Sequence, residues 1–89
     1  MKAVILVTGK DTVGIIAKVS NVFAKYGANI SDITQSVLKE YFAMIMIAEI
    51  DGLNIPFSEF VDILERLGNE NSLYIHVMHE DIFNAMHKI

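Results

Sequence analysis

The chain of 89 residues contains no cysteine. This absence excludes disulfide bonds, thiolate metal sites, cysteine nucleophiles and dithiol redox chemistry. Tryptophan is also absent, and there is a single proline. The longest apolar runs, 3–7 and 41–48, are far shorter than the roughly 20 residues that a membrane-spanning helix requires. The N-terminal run also lacks the length and the cleavage site of a signal peptide, so we expect a cytoplasmic protein that does not contact membranes.

Basic residues are outnumbered, with seven Lys and Arg against eleven Asp and Glu and a formal net charge of −4. This balance opposes direct binding to nucleic acid, which requires a cationic surface. Hydrophobic residues make up 53% of the chain, which excludes intrinsic disorder. They also exceed what a small monomer needs to bury, so we expect a homodimer or a larger homo-oligomer. The length leaves room for one domain, which we expect to span 1–89.

Hydrophobic periodicity predicts four strands, at Ala3–Thr8, Ile30–Leu38, Tyr41–Ile50 and Leu73–Met78.

Apolar residues at helical spacing predict two long helices and a short C-terminal one. The first covers Val13–Tyr26, and Gly27 ends it in a left-handed conformation. The second has Pro56 in its first turn and is capped by Gly68. The tail Glu80–Lys88 is expected to form the third helix.

The order strand, helix, strand, strand, helix, strand is typical of an α+β ferredoxin-like βαββαβ sandwich. This fold has a four-stranded sheet with helices on one face, here followed by the short C-terminal helix. We expect the first and third strands, which are the most apolar, in the centre, side by side and parallel. The second and fourth strands then lie at the edges. The uncovered surface of such a sheet and the apolar surplus both point to a second copy of the chain.

The fold hosts many functions, and three of them lack their residues here. Soft-metal carriers need paired cysteines, and RNA-recognition modules need aromatic and basic residues on the central strands. Acylphosphatase-like enzymes need an arginine after the first strand, but the only arginine is Arg66 in the second helix. Of the histidines His76, His79 and His87, the first two are three residues apart across the end of a strand and have no preorganised third ligand. No nucleophile is paired with a base, so we expect no catalytic residue, no metal and no cofactor.

Two motifs carry the strongest functional signal. The first is Gly9-Lys10-Asp11-Thr12-Val13-Gly14-Ile15-Ile16-Ala17, and the second is Gly27-Ala28-Asn29-Ile30 at the start of the second strand. Together with the element order, they resemble the ACT domain, a small regulatory module of amino-acid metabolism. The resemblance covers essentially the whole chain and is greatest to stand-alone single-ACT proteins of bacteria and archaea, similar to the repressor of the glycine cleavage system.

The first motif also suits a ligand on physical grounds. A glycine at position 14 lets a small molecule approach the backbone where the chain enters the helix. The free amides of a helix N-terminus suit a carboxylate.

The resemblance implies roles for seven residues. It implies a dimer that pairs the sheets edge to edge through the second strands, with an amino acid bound between the chains. Asp11 would meet the ligand's ammonium group, and the amides near Val13, Gly14 and Ile15 its carboxylate. Thr12 belongs to the same loop, while Asn29 and Ile30 of the second chain would bind the ligand's backbone groups.

Four of these residues also have a purely structural interpretation. Asp11 or Thr12 can cap the first helix. Gly14 can serve tight packing of the helix against the sheet, and Asn29 can adopt a left-handed turn. The functional hypothesis that the resemblance implies is a non-enzymatic regulatory module. It binds an amino acid at a homodimer interface and acts through a partner protein. The alternative is a structural or protein-interaction module of the same fold without a ligand.

Overall fold

The computed structural model describes residues 1–10 and 14–86. Four strands and three helices follow in the predicted order. They are β1 (Lys2–Lys10), α1 (Ile15–Tyr26), β2 (Asn29–Leu38), β3 (Tyr41–Glu49), α2 (Phe57–Glu70), β4 (Tyr74–His79) and α3 (Glu80–Met86). The fold class is therefore confirmed as a ferredoxin-like sandwich with a short C-terminal helix.

The sheet has the strand order β2-β3-β1-β4, so β1 and β3 are central and β2 and β4 lie at the edges, as predicted. The expected parallel pairing of β1 with β3 is wrong, because every pair of neighbouring strands is antiparallel. The crossover through α1 leaves β2 parallel to β1, and the hairpin between β2 and β3 then reverses the chain. As a result β3 runs against β1, with Lys2 opposite Glu49 and Lys10 opposite Tyr41.

The hydrophobic core lies between the sheet and the helices α1 and α2. Alternate strand residues point into it, which follows from the two-residue period of a strand. Among them, Met44 and Met46 of β3 are fully buried, so these methionines fill the core. Phe23 of α1 and Phe60 of α2 contact each other within the core.

Glycines set both ends of α1. The described part of the helix begins at Ile15, after Gly14 with a left-handed φ of 84°. The predicted start at Val13 lies outside the described residues. Gly27 ends the helix with a φ of 83°, which confirms its predicted left-handed cap, and its amide donates a hydrogen bond to the carbonyl of Phe23.

The predicted end of α2 at Gly68 is wrong, because the helix continues to Glu70 with Asn71 as its C-cap. Pro56 occupies the N-cap position just before the helix. Gly68 is buried, and a Cβ placed there would lie 2.8 Å from the carbonyl oxygen of Leu73 and 2.9 Å from Cγ1 of Ile75. This glycine therefore allows α2 to approach β4 closely and does not terminate the helix.

No helix within residues 1–10 and 14–86 is long and apolar enough to cross a membrane. The helix α3 packs against β1 and β4. Its predicted end at Lys88 lies outside the part of the chain that the structure describes.

Candidate functional site

Gly14 lies at the N-terminus of α1, where the chain turns from the loop into the helix. Its carbonyl accepts a hydrogen bond of 3.0 Å from the amide of Lys18. Within the residues that the structure describes, that bond is the first of α1, and the amides of Ile15, Ile16 and Ala17 have no helical partner there. These amides, together with the helix dipole, provide a partial positive charge that suits an anionic group.

The described residues leave the space around Gly14 open. A Cβ built on this residue meets no atom of the described chain within 4 Å. The interpretation of Gly14 as a residue needed for tight packing is therefore wrong. Glycine is favoured here because the φ of 84° is unfavourable for other residues, and its bare backbone is accessible from outside.

Three of the predicted site residues, Asp11, Thr12 and Val13, lie outside the described part of the chain, and their ligand and cap roles stay predictions. The side chain of Ile15, by contrast, is buried in the core. Only the backbone amide of Ile15 is thus suited to a ligand.

Asn29 and Ile30 begin β2. Asn29 is exposed and lies opposite Glu49 in the sheet, while Ile30 is half-buried and packs against the core. The left-handed turn considered for Asn29 is wrong, since this residue is part of the strand and has no positive φ. The side chain of Asn29 therefore projects from the beginning of an edge strand.

Within one chain, Gly14 and Asn29 lie at opposite ends of the molecule. Asn29 is level with Glu49 and Lys2, whereas Gly14 follows Lys10 at the far end of β1. The twelve residues of α1 separate them by about 18 Å at 1.5 Å per residue. One small molecule therefore cannot contact Gly14 and Asn29 of the same chain.

A shallow pocket of about 410 Å³ lies on the side of the sheet away from α1 and α2. Ala43 forms its floor between Thr8 and Ser36, which are its direct neighbours on the two adjacent strands, and Tyr41 forms a wall. Two hydroxyl groups and an aromatic ring thus surround a small apolar floor. The sequence does not reveal this pocket, because its residues become neighbours only through the register of three strands.

The histidines have local partners. His79 Nδ1 accepts a hydrogen bond of 3.1 Å from the amide of Asp81 at the start of α3, and the His76 ring stacks on Tyr74 with 6.0 Å between centroids. His87 lies outside the described residues. Across 1–10 and 14–86, no three His, Asp or Glu residues are grouped so that they could hold a metal ion.

Among the described residues, the N-terminal amine of Met1 has a clearly shifted pKa. The hydrogen bond to Asp51 raises the pKa of the N-terminal amine of Met1, and the charges of Asp51, Glu80 and Glu49 raise it further, while desolvation opposes them. The amine nitrogen lies 2.8 Å from Oδ2 of Asp51. This ion pair links the residue before β1 to the loop after β3. It lies at the end of β1 opposite to Gly14.

Comparison with known proteins agrees with this architecture. The model of the ACT domain matches residues 3–69. A UPF0237 protein of Listeria innocua is 44% identical over 89 residues, the full length of both chains. Among solved structures, an ACT domain protein from Streptococcus pneumoniae superposes with a TM-score of 0.79 at 40% identity, over 93% of each chain.

A more distant structure is the regulatory subunit of aspartate kinase from Thermus thermophilus. It superposes with a TM-score of 0.67 at 25% identity, covering 88% of this chain and 50% of that one. ACT domains are typically regulatory modules that bind small molecules. The match over most of the sequence and the full-length relative establish that this chain belongs to the ACT domain family.

Proposed function

We propose that the chain is a non-enzymatic regulatory module that binds an amino acid between two copies of itself and acts through a partner protein. Membership of the ACT family supports this proposal, as does the similarity to a regulatory subunit of aspartate kinase. The observation that carries it is the separation of Gly14 from Asn29. Gly14 of the first motif and Asn29 of the second lie about 18 Å apart in one chain. A single site that contains both therefore needs a second chain.

The edge strand β2 supplies the geometry for this second chain. Antiparallel pairing of β2 with its own copy brings the partner's Asn29 to the end of the sheet where β2 ends and α1 begins. The free amides at Ile15 and the open backbone of Gly14 then bind the carboxylate of the ligand. Asp11 binds its ammonium group, Thr12 and Val13 belong to the same loop, and Asn29 and Ile30 of the partner subunit bind its backbone groups.

The mechanism is thermodynamic linkage between the ligand and the pair of chains. A ligand that contacts both chains stabilises one arrangement of the two sheets. A partner protein that recognises this arrangement is regulated by the same coupling free energy. A ligand in hundredfold excess over its dissociation constant adds about 2.7 kcal/mol to the stability of the bound state.

Thermal unfolding of the purified protein with each of the twenty amino acids, together with its mass in solution, tests the proposal. We expect a reproducible rise in Tm with one amino acid or a small group, on a dimer or a larger oligomer. A flat panel on a stable dimer would overturn ligand binding and favour the interaction module. A monomer would overturn the shared site, because Gly14 and Asn29 of one chain cannot contact one amino acid.

A further inference from the structure

Three small residues form one row across the outward face of the sheet, the face away from α1 and α2. Ala43 of β3 is the direct neighbour of Ser36 on β2 and of Thr8 on β1. The next outward residues along β3, Tyr41 and Ile45, are large, so the row forms a depression beside them. The pocket of about 410 Å³ lies in this depression. Its depth therefore comes from the small side chain of Ala43.

Three hydroxyl groups border the pocket, those of Thr8, Ser36 and Tyr41. None of these hydroxyl groups donates or accepts a hydrogen bond with another described residue. A hydroxyl group can donate one hydrogen bond and accept two. Because β1 and β3 are central strands, their backbone amides and carbonyls bond within the sheet. Recognition of a polar group in this pocket therefore depends on the three side chains.

The pocket is uncharged. Among the described residues, no Asp, Glu, Lys, Arg or His lines it. A charged group that entered it would lose water without gaining an ionic partner, which is costly. The lining therefore favours an uncharged ligand with hydrogen-bonding atoms.

The spacing of the strands sets the distance that such a ligand must bridge. Neighbouring strands lie about 4.8 Å apart, so the Cα atoms of Ser36 and Thr8, on either side of β3, are about 9.6 Å apart. Two hydrogen bonds of about 2.8 Å then leave about 4 Å between the polar atoms of a ligand that joins both hydroxyl groups. Ring nitrogens on opposite edges of a purine have a comparable separation, whereas the opposite ring atoms of a single six-membered ring are closer together.

Tyr41 provides a surface on which a flat ring can stack. Its side chain is 51% exposed and forms a wall of the pocket. Aromatic rings pack favourably against one another in offset or edge-to-face arrangements. Tyr74, which is also exposed on this face, stacks on His76 and does not line the pocket. A flat ligand can therefore stack on Tyr41 with its edge toward Ala43.

We propose that this pocket is a second ligand site, which binds the uncharged base of a purine nucleoside. The base stacks on Tyr41 above Ala43, and its opposite edges form hydrogen bonds with Ser36 and Thr8. The volume of about 410 Å³ lies within the range of small-molecule sites and exceeds that of a bicyclic ring. The sugar therefore has room on the solvent side. The site shares no residue with the proposed amino-acid site and does not depend on it.

The pocket stays accessible in the proposed dimer. Pairing through the edge of β2 extends the sheet sideways and leaves its outward face uncovered. The helix α3 begins after His79, which lies opposite Ala3 and about 17 Å along β1 from Thr8. Its seven residues span only about 10 Å. The described part of α3 therefore does not reach Ala43.

Adenosine is the probe, and binding is followed through the amide chemical shifts of isotope-labelled protein by NMR, without any amino acid in solution. We expect saturable shifts centred on Thr8, Ser36 and Ala43, with a Kd on the order of 1 mM for so small a ligand. Cytidine, which has the same sugar and a single ring, should bind at least about threefold more weakly because it has less surface to stack on Tyr41. Equal binding of the two nucleosides would overturn the assignment to a purine, and the absence of saturable shifts with adenosine would overturn the site.

Filling the depression tests the location. Ala43→Leu should abolish adenosine binding, and it should fold because position 43 is exposed. Thr34→Leu is the matched control, since it adds leucine to the same face beside Ile45 but outside the pocket lining, and it should retain binding. Ser36→Ala removes one hydroxyl group and should weaken binding about fivefold. Unchanged binding by Ala43→Leu, or an equal loss in Thr34→Leu, would contradict a site at Ala43.

Nucleic acids also carry purine bases, and a short oligoadenylate distinguishes them from a free nucleoside. The formal net charge of −4 opposes the phosphates of an oligonucleotide. We therefore expect oligoadenylate to bind no more tightly than adenosine at physiological salt. Tighter binding of the oligonucleotide would overturn the nucleoside site in favour of a nucleic-acid-binding face.

Discussion

The rings of Phe23 and Phe60 lie 5.6 Å apart between centroids, with an angle of 49° between their planes. This contact joins α1 to α2 beneath the sheet, and both side chains are almost fully buried. The two helices have few other contacts with each other. The pair therefore packs α1 against α2 within the core.

Replacing Phe60 by alanine should cost about 3–5 kcal/mol of unfolding free energy, because a buried ring is lost and a cavity is left. This is a large part of the 5–15 kcal/mol that is typical of a small domain. Phe60→Leu retains part of the packing and should cost less. Urea unfolding followed by circular dichroism measures both changes. Tyr41→Ala serves as the control at an exposed aromatic residue, and an equal loss there would contradict the assigned role of Phe60.

Gly68→Ala should destabilise the protein by about 1–3 kcal/mol, although alanine is the better helix former. The added methyl group would meet the backbone oxygen of Leu73 at 2.8 Å, and that atom belongs to the turn that leads into β4. Asn69→Ala is the matched control, because Asn69 is exposed in the same helical turn. The difference in urea midpoint between the two variants measures the effect, and a stabilised Gly68→Ala variant would show that α2 is not tightly packed on β4.

The ion pair between the Met1 amine and Asp51 predicts a pH dependence of stability. The hydrogen bond from the amine to Asp51 raises the pKa of the amine above its ordinary value of about 8. A raised pKa means that the stabilisation is complete below pH 8 and is lost as the pH rises through the folded-state value. Stability should therefore decrease above pH 8 more steeply in the native chain than in Asp51→Asn. Unfolding midpoints at pH 7 and pH 10 measure this, and parallel curves for the two proteins would rule out the contribution.

Local sequence patterns predict the order of the strands and helices correctly. The two wrong predictions of the architecture, the end of α2 and the direction of β3, have physical causes. A glycine near the end of an apolar stripe is a typical stop signal, so the sequence predicts a helix cap at Gly68. Its contact with β4 is a tertiary interaction that no local pattern contains. The direction of β3 relative to β1 was predictable in principle, since the hairpin between β2 and β3 reverses the chain.

The candidate site likewise has parts that the sequence identifies and parts that only the folded structure reveals. Gly14 was identifiable from its motif, and its left-handed backbone and open surroundings agree with accessibility to a ligand. The pocket above Ala43 was not identifiable, because Thr8 and Ser36 are distant in sequence and meet at Ala43 only through the sheet register. The separation of Gly14 from Asn29 likewise depends on the order and length of the folded elements.

Substitution of Gly14 separates its backbone role from its role in ligand binding. Gly14→Ala and Gly14→Leu both force a side chain into a left-handed conformation, which costs about 1–3 kcal/mol in either case. Both should therefore lower Tm by a similar amount without ligand, since the space around the added Cβ is open. Only leucine is large enough to cover the free amides at the start of α1. With the amino acid that raises Tm of the native chain, Gly14→Ala should retain most of the shift and Gly14→Leu should lose it. If Gly14→Leu retains the full shift in Tm, the ligand binds elsewhere. The pocket at Ala43, on the side of the sheet away from α1 and α2, is then the next candidate site.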